Sequence, residues 1–434
     1  MDIYVVQPGD TIESIALQYG VTVNQLIQDN GLINPFDLVQ GQTIVIARPS
    51  QTHTVLEGDT LAGIAAIYGV TVMQLLRNNS FLNNRDYIYP GETLVISYPT
   101  DREIATFGYA YPFIREETLL RTLPYLTYLS VLNYRATDEG EIVSFGNDTE
   151  IVRKAKDYGT IPLAMLTTLS AQGEPDLNVA YKLLLNEEYQ ERQLDNLIIL
   201  MKEKGYLGTN IVFYFMNTSN QELYQRFLRK VNDRLGKEGF YIFLTINYQV
   251  ERKDGEIGLE QIDYSIISSL VNGIVFLRFL WGENYGPPAP ISSIQDLRIL
   301  TEYAAPMIPP DKMLLAKSII AYDWQLPYPQ RNQGAKSITL DVAIALANTY
   351  HAVIQLDESS VTPFFYYTQS GIVVPIDYVV WFLDARSIEV LLDLISEYGL
   401  AGMGIWNIMF FQQQIWTVVI VRYDIIKLIP DLID

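Results

Sequence analysis

Two segments near the N-terminus of the chain repeat the same pattern at a constant offset. The first reads YVVQPGDTIESIALQYGVTVNQLIQDN (residues 4–30) and the second reads HTVLEGDTLAGIAAIYGVTVMQLLRNN (residues 53–79). Each copy starts with a short β-rich run and then Gly-Asp-Thr, whose polar side chains can cap the helix that follows. Apolar residues at helical spacing lead to a Tyr-Gly pair, which is typical of a helix C-terminus. A second helical run and a closing strand, GQTIVI or GETLVI, complete a βααβ unit that occurs twice.

Both repeats resemble LysM modules in the Gly-Asp-Thr turn, the YGVTV junction, the Asn that ends the second helix and the closing strand. The resemblance predicts modules at residues 1–48 and 51–98. It implies a shallow groove for N-acetylglucosamine-containing glycans, peptidoglycan or chitin, between the loop before the first helix and the loop after the second. The groove residues implied are Gly9, Asp10, Thr11, Asn30, Leu32 and Ile33, and then Gly58, Asp59, Thr60, Asn79, Phe81 and Leu82. Taken alone, Gly-Asp-Thr is equally consistent with a turn and helix cap.

From residue 103 onward the pattern changes to strands that alternate with helices, which predicts a parallel sheet covered by helices. Eight candidate strands favour a (β/α)8 TIM barrel over residues 103–434. The candidate strands are residues 104–111, 126–134, 161–169, 209–215, 240–248, 273–281, 313–324 and 402–408. The segment at about residues 325–383 is too long for a connecting loop and is predicted to form a small α+β insertion at the rim of the barrel.

Several stretches of this larger part resemble glycoside hydrolase family 18, in particular its LysM-bearing branch that acts on spore peptidoglycan. They include FGYAYP, LWGENYGPPAP, AYDWQLPY and VWFLDARSIEVLLDLISEYGLAGMGIW. The resemblance implies an N-acetylglucosaminidase of the spore cortex type. It also implies synthesis in the cytoplasm without a signal peptide, and attachment through the LysM modules in the cortex, coat or outer surface of a bacterial spore.

Family 18 enzymes end their fourth barrel strand with Asp-x-x-Asp-x-Asp-x-Glu, and this chain lacks those acids. The final Glu protonates the leaving oxygen, and the Asp two residues earlier orients the substrate acetamide, whose carbonyl oxygen attacks the sugar. The corresponding positions are Leu207, Asn210, Val212 and Tyr214, of which only Asn210 fits. On the sixth strand the family's Tyr-Asp pair is replaced by Phe279-Leu280. A phenol with a pKa near ~10 is a poor substitute for a carboxylic acid, so no catalytic residue is assigned.

Alternatives to a non-catalytic barrel also follow from the residues. Glu283 or Asp323, near strand ends at the same rim, are candidates for a displaced general acid in an active or weakly active N-acetylglucosaminidase. The apolar segment 408–421 and the aromatic insertion are candidates for docking a protein partner or another copy of the chain. Sugar contacts in the barrel cleft are predicted to survive, although packing explains a buried aromatic such as Trp406 equally well. The cleft candidates are Trp281, Tyr322, Asp323, Trp324 and Trp406.

Charge and composition exclude several other classes of function. The 434 residues carry 30 basic and 50 acidic side chains, and the net charge of −20 disfavours nucleic acid and anionic membranes as partners. With no cysteine and two histidines, no disulfide framework, metal site or cofactor is expected. No apolar run reaches the length of a membrane helix, and the N-terminus lacks the pattern of a signal peptide. The leading interpretation is a peptidoglycan-binding spore protein with a lectin-like or scaffold barrel.

Overall fold

The N-terminal part of the chain forms two small modules of the same design. The structure, a computed structural model, describes residues 1–434 except 86, 101, 169–175, 249, 254–255, 279–286, 329–333, 371–373 and 433–434. The modules consist of β1 (Asp2–Val5), α1 (Ile12–Tyr19), α2 (Val23–Asn30) and β2 (Thr43–Ile46), and of β3 (Gln51–Thr54), α3 (Leu61–Tyr68), α4 (Val72–Asn78) and β4 (Thr93–Ser97). In each module the two strands pair antiparallel and the helices cover them around an apolar core. The βααβ prediction is confirmed.

Local hydrogen bonds explain where the first helix of each module begins and ends. Thr11 Oγ1 accepts the backbone N–H of Ser14 at 3.2 Å, and Thr60 Oγ1 accepts that of Gly63 at 3.0 Å. Each helix ends at the glycine of its Tyr-Gly pair, which adopts a left-handed φ of 67°. The Gly-Asp-Thr turn therefore acts as a helix cap in both copies.

The rest of the chain is built around eight parallel strands with helices outside them. The strands are β5 (Glu103–Ala110), β6 (Tyr128–Ala136), β7 (Ile142–Ser144), β8 (Ile161–Thr167), β9 (Gly208–Phe213), β10 (Tyr241–Ile246), β11 (Val250–Lys253), β12 (Glu256–Leu259), β13 (Gly273–Phe276), β14 (Met313–Ser318), β15 (Ala321–Leu326), β16 (Lys336–Ile338), β17 (Gln355–Asp357), β18 (Thr362–Gln369), β19 (Ile376–Trp381), β20 (Gly402–Trp406) and β21 (Asp424–Ile425). The helices are α5 (Glu116–Thr122), α6 (Thr149–Asp157), α7 (Leu177–Leu185), α8 (Glu187–Lys204), α9 (Gln221–Leu235), α10 (Tyr264–Ser269), α11 (Ile294–Ala304), α12 (Leu340–Thr349), α13 (Ala385–Tyr398) and α14 (Gln413–Ile420).

The eight barrel strands pair in a closed ring. Their order is β5, β6, β8, β9, β10, β13, β14 and β20, and β20 pairs in parallel with β5 to complete the cylinder. Side chains that alternate along the strands fill the interior, as expected for a barrel of this size. The TIM barrel prediction is confirmed, and the carboxyl ends of the strands define the mouth where such folds place their sites.

A five-stranded antiparallel sheet is inserted between β14 and β20. Its order is β16, β15, β19, β18 and β17, and α12 packs on one face. The single strand predicted over residues 313–324 is wrong, because β14 ends at Ser318 and β15 begins at Ala321. Between them, the Ile319 N–H donates to the Trp406 carbonyl at 2.8 Å, and the chain then leaves the barrel to pair with β16 and β19.

The apolar segment near the C-terminus lies inside the molecule. Helix α14 is buried almost throughout, where it packs against α13 and against α2 of the first module. Gln414 Nε2 reaches across to the first module and donates to Asn30 Oδ1 at 3.0 Å and to the Thr43 carbonyl at 2.8 Å. Helix α14 therefore offers no apolar docking surface, because α13 and the first module cover it. Docking through Phe410, which is 47% exposed, and through the aromatic insertion stays a prediction.

The second module is also attached to the barrel. The Tyr125 hydroxyl donates to the Arg77 carbonyl at 2.6 Å, and Arg77 is buried against this contact.

In the described part of the chain no single helix is long and apolar enough to cross a membrane, while the bent pair α3 and α4 meets that test by length and composition only.

Candidate functional site

A hydrogen-bonded network crosses the interior of the barrel at the level of Asn210. Its Nδ2 donates to Ser130 Oγ at 3.0 Å, and its Oδ1 accepts from Thr245 Oγ1 at 3.0 Å. The hydroxyl of Tyr109 lies 2.7 Å from the same Thr245 oxygen. All four side chains are buried, and burial raises the pKa of Tyr109 far above its usual value. The one motif position that matches the family is thus held by neighbouring strands.

The two positions at which the resemblance places the general acid and the acetamide-orienting acid are buried and packed. Val212 and Tyr214 are 3% and 6% exposed and belong to the cluster that fills the upper barrel with Met165, Leu277 and Trp406. Burial raises the pKa of Tyr214 well above its ordinary value, so its hydroxyl is a weaker acid than a free phenol. Leu207 lies just before β9, at the opposite end of the barrel from the mouth.

Of the carboxylates named from the sequence as displaced acids, only Asp323 belongs to the described residues. Glu283 lies outside them, as do Phe279, Leu280 and Trp281. Asp323 is on β15 of the inserted sheet, where its Oδ2 accepts the Tyr367 hydroxyl at 2.8 Å. Burial raises the pKa of Asp323 above its normal range. Because side chains alternate along a strand, Asp323 faces away from Tyr322 and Trp324 and toward the α12 side of the sheet with Tyr367.

Sequence reasoning missed one carboxylate at the barrel mouth. Glu260 and Tyr214 line the same cavity, whose volume is about 210 Å³. Glu260 Oε1 accepts two hydrogen bonds from Thr218, one from the backbone N–H at 2.7 Å and one from the hydroxyl at 2.8 Å. These bonds tie the loop after β9 to the segment after β12. No local pattern marks Glu260, because its place in the cavity of Tyr214 depends on how the segment after β12 packs against the loop after β9.

The predicted aromatic residues of the barrel cleft are largely buried. Trp406 packs at 5.3 Å, centroid to centroid, from Tyr109 inside the barrel. Tyr322 and Trp324 lie on one face of β15 with their ring centroids 5.6 Å apart, and they pack with Ile291. Their contact with a sugar stays a prediction, and for Trp406 the structure shows the packing role.

The Asp of each Gly-Asp-Thr turn is engaged inside its own module. Asp10 Oδ2 accepts the Gln7 N–H at 2.7 Å and the Tyr4 hydroxyl at 2.6 Å. The bond to Asp10 raises the pKa of Tyr4 to about 12. In the second module Asp59 makes the equivalent contacts, with His53 Nε2 at 2.8 Å in place of the tyrosine. These bonds shape the loop before the first helix, and the contact of Asp10 and Asp59 with glycan stays a prediction.

The Asn that ends the second helix of each module fastens the following loop to a strand. Asn30 Nδ2 donates to the carbonyls of Leu26 and Val45, and its Oδ1 accepts the Val45 N–H at 2.7 Å. Asn79 repeats the same three bonds in the second module at 2.7 to 2.9 Å. Both side chains are buried, with exposures of 7% and 2%. They hold the predicted groove in shape.

The other predicted groove residues differ in exposure. Gly9 and Gly58 adopt a φ of 88° in exposed turns. Ile33 is 70% exposed, whereas Leu82 is buried in the core of the second module. Leu32 and Phe81 are half-buried at equivalent positions. Their contact with glycan stays a prediction.

Replacing Asn79 by Ala is expected to lower the free energy of unfolding of the second module by about 3 kcal/mol, because three hydrogen bonds of a buried amide are lost together. Asn78→Ala is the matched control, since the half-buried Asn78 donates one bond, to the Ile96 carbonyl. It should cost only about 1 kcal/mol. Urea unfolding followed by hydrogen exchange in β4 measures both. Equal losses would contradict the fastening role.

The sequence matches two family models, the LysM domain over residues 4–47 and 53–97 and the glycosyl hydrolases family 18 over residues 163–410. The chain belongs to glycosyl hydrolase family 18 and carries two LysM domains. Among its relatives, the cortical fragment-lytic enzyme of Bacillus subtilis is 33% identical, with 98% of this chain and 99% of the relative covered.

Solved structures of spore cortex-lytic enzymes have the same architecture. The enzyme SleL of Bacillus megaterium QM B1551 superimposes with a TM-score of 0.78 at 30% identity, and that of Bacillus cereus with 0.79 at 27% identity. Each comparison covers 98% of both chains. The chain is thus homologous to spore cortex-lytic enzymes along almost its entire length.

Proposed function

We propose that this chain binds spore peptidoglycan through its two LysM modules, at residues 1–48 and 51–98, and that its family 18 barrel, at residues 103–434, does not hydrolyse glycan. The observation that carries the second half is the apolar, packed state of Val212 and Tyr214 at the barrel mouth. Wall binding and a place in the spore are supported by the LysM match and by the names of the relatives. The barrel then serves as a scaffold or lectin-like domain.

Substrate-assisted hydrolysis needs an acid within hydrogen-bond distance of the glycosidic oxygen and a group that orients the acetamide. In the described part of the chain, no Asp or Glu belongs to the C-terminal half of a barrel strand. The buried carboxylates of the barrel part that are described lie outside its interior, and they are Asp148, Asp296, Asp323 and Asp384. Asp148, for example, accepts Asn133 Nδ2 and the Tyr206 hydroxyl between strands and helices. No carboxylate on a described barrel strand, and none of these buried carboxylates, is therefore placed to meet the first requirement.

A second candidate function is weak N-acetylglucosaminidase activity that uses a displaced carboxylate. The names of the relatives, which are lytic enzymes, favour it. Within the described structure Glu260 is the carboxylate that shares a cavity with Tyr214. Glu260→Gln, Glu283→Gln and Asp323→Asn would each be compared with the unchanged chain, and hydrolysis abolished by one of them would identify the acid.

Incubation with purified spore cortex and with vegetative peptidoglycan tests the proposal. We expect the protein in the pellet and, by mass spectrometry, no soluble muropeptides above a no-protein blank. The cortical fragment-lytic enzyme of Bacillus subtilis serves as the positive control for product detection. Products ending in reducing N-acetylglucosamine would overturn the non-catalytic half, and protein left in the supernatant would overturn the binding half.

A further inference from the structure

A polar cleft with a volume of about 470 Å³ lies between the two LysM modules. One wall is the face of α2 that carries Asn24 and Gln28, and the other is the loop after α4 with Phe81. Asp29 of α2 and Gln413 of α14 also line the cleft. Both modules and the barrel therefore contribute to it. The cleft exists only because both modules are docked on the barrel.

This cleft differs from the grooves implied by the LysM resemblance. None of the residues before the first helices, Gly9 to Thr11 and Gly58 to Thr60, lines it. Leu32 and Ile33 of the first module are also absent from its lining. It shares only Asn79 and Phe81 with the predicted groove of the second module. A ligand in the cleft would contact the outer face of α2, which the grooves do not use.

The chemistry of the walls suits an uncharged polar ligand. Amides and hydroxyls dominate the lining, with Phe81 as the aromatic surface and no Lys, Arg or His among the described lining residues. The side-chain amide of Gln28 makes no hydrogen bond to a described residue, and Asn24 is exposed, so both side-chain amides are open to a ligand. The charge of Glu92 is already paired with Arg85 at 2.7 Å. Anions are disfavoured here, and the net charge of −20 adds to that repulsion.

Gln413 is the residue through which the barrel contributes to the cleft. Gln413 Nε2 donates to Thr417 Oγ1 at 3.0 Å, and Gln413 Oε1 has no hydrogen-bond partner among the described residues.

We propose that this inter-module cleft is a saccharide-binding site that takes an uncharged, N-acetylated segment of a glycan chain and holds it between the two modules. The inference rests on the proposed wall-binding function and deepens it, because it names a site in addition to the two grooves. Acetamide and hydroxyl groups match the amide-rich walls, and an apolar sugar face can rest on Phe81.

Calorimetric titration of the full chain with N-acetylchitohexaose tests the site. Gln28→Trp and Asn24→Trp fill the cleft from two positions, and each should weaken the tightest binding event at least ~10-fold. Gln18→Trp, on the exposed face of α1 outside the cleft, is the matched control and should bind as the unchanged chain does. Ile33→Arg blocks the predicted groove of the first module without touching the cleft. Melting curves confirm that each variant is folded.

The outcomes separate the inference from the function on which it rests. If both cleft variants bind normally while Ile33→Arg loses affinity, the cleft is not a saccharide site and groove-based wall binding stands. If the unchanged chain neither binds the hexaose nor pellets with cortex, the proposed function fails and the inference fails with it. A hyaluronan hexasaccharide, which carries a carboxylate on every second sugar, should not displace the hexaose. Equal displacement would contradict the preference for an uncharged segment.

Discussion

Returning carboxylates to the motif, with Val212→Asp and Tyr214→Glu together, is expected to lower the free energy of unfolding by about 4 kcal/mol or more at pH 7 and to restore no hydrolysis. Both positions are buried in an apolar cluster with Met165 and Leu277, which offers a carboxylate no cationic partner among its described members. Hydrolysis is also expected to lack the sixth-strand pair, because the resemblance places Phe279-Leu280 at the positions of the family's Tyr-Asp.

The dependence of this loss on pH shows whether burial of charge is its cause. A buried carboxyl has a raised pKa, so its contribution to stability is retained at low pH and lost as pH rises through that pKa. The double variant should therefore be less destabilised at pH 5 than at pH 7, as measured by urea unfolding. Val212→Asn with Tyr214→Gln, which is polar but uncharged, serves as the control and should cost the same at both pH values. A loss for the acidic pair that does not change with pH would contradict this explanation.

Asp29→Asn is expected to stabilise the protein at neutral pH by up to about 4 kcal/mol, because burial raises the pKa of Asp29 to about 7. The folded chain keeps this carboxyl protonated at pH values where the unfolded chain ionises it. Its contribution to stability is full below about pH 4 and is lost as pH rises through about 7. The second module has Asn78 at the equivalent position, which shows that an amide fits this site.

The measurement compares unfolding of the two proteins between pH 4 and pH 8. The difference between Asp29→Asn and the unchanged chain should be near zero at pH 4 and should grow to a plateau above pH 7. Glu13→Gln, an exposed carboxyl on α1, controls for the loss of one negative charge. A difference that stays constant across this range would mean that ionisation of the Asp29 carboxyl does not lower the free energy of unfolding. That result would contradict the explanation.

The repeats allowed the modules to be predicted because each depends on local signals. The cap at Thr11, the left-handed glycine after the helix and the short paired strands all lie within a few dozen residues. The barrel followed from the alternation of strands and helices, since its hydrogen-bonded neighbours are consecutive barrel strands.

Features that depend on distant contacts were predicted wrongly or missed. The break after Ser318 is set by the Trp406 carbonyl, which the apolar run over residues 313–324 does not reveal. Helix α14 has the composition of a docking surface, but whether an apolar face is covered depends on where the first module packs. Glu260 lines the cavity of Tyr214 through the contact of the segment after β12 with Thr218, which is 42 residues away in the sequence.

Membership of the family favours a hydrolase, whereas the residues of the site favour a barrel that does not hydrolyse glycan. Relatives over the entire length are lytic enzymes, which favours hydrolysis. The chain has the closed barrel and both modules, yet the position at which the resemblance places the acid, just after β9, is the buried Tyr214. A barrel fold can be kept after its catalytic residues are lost, because the residues that pack the barrel are different from those that transfer a proton.

The most direct test of the central claim is a count of glycosidic bonds cut per protein molecule. Cortical fragments are incubated for a day with an equal amount of the chain in ¹⁸O-labelled water, and labelled reducing ends are counted by mass spectrometry. We predict no labelled ends beyond the blank, even though the protein is bound to the fragments. Labelled N-acetylglucosamine ends in excess of the protein present would show turnover and contradict a barrel without catalysis.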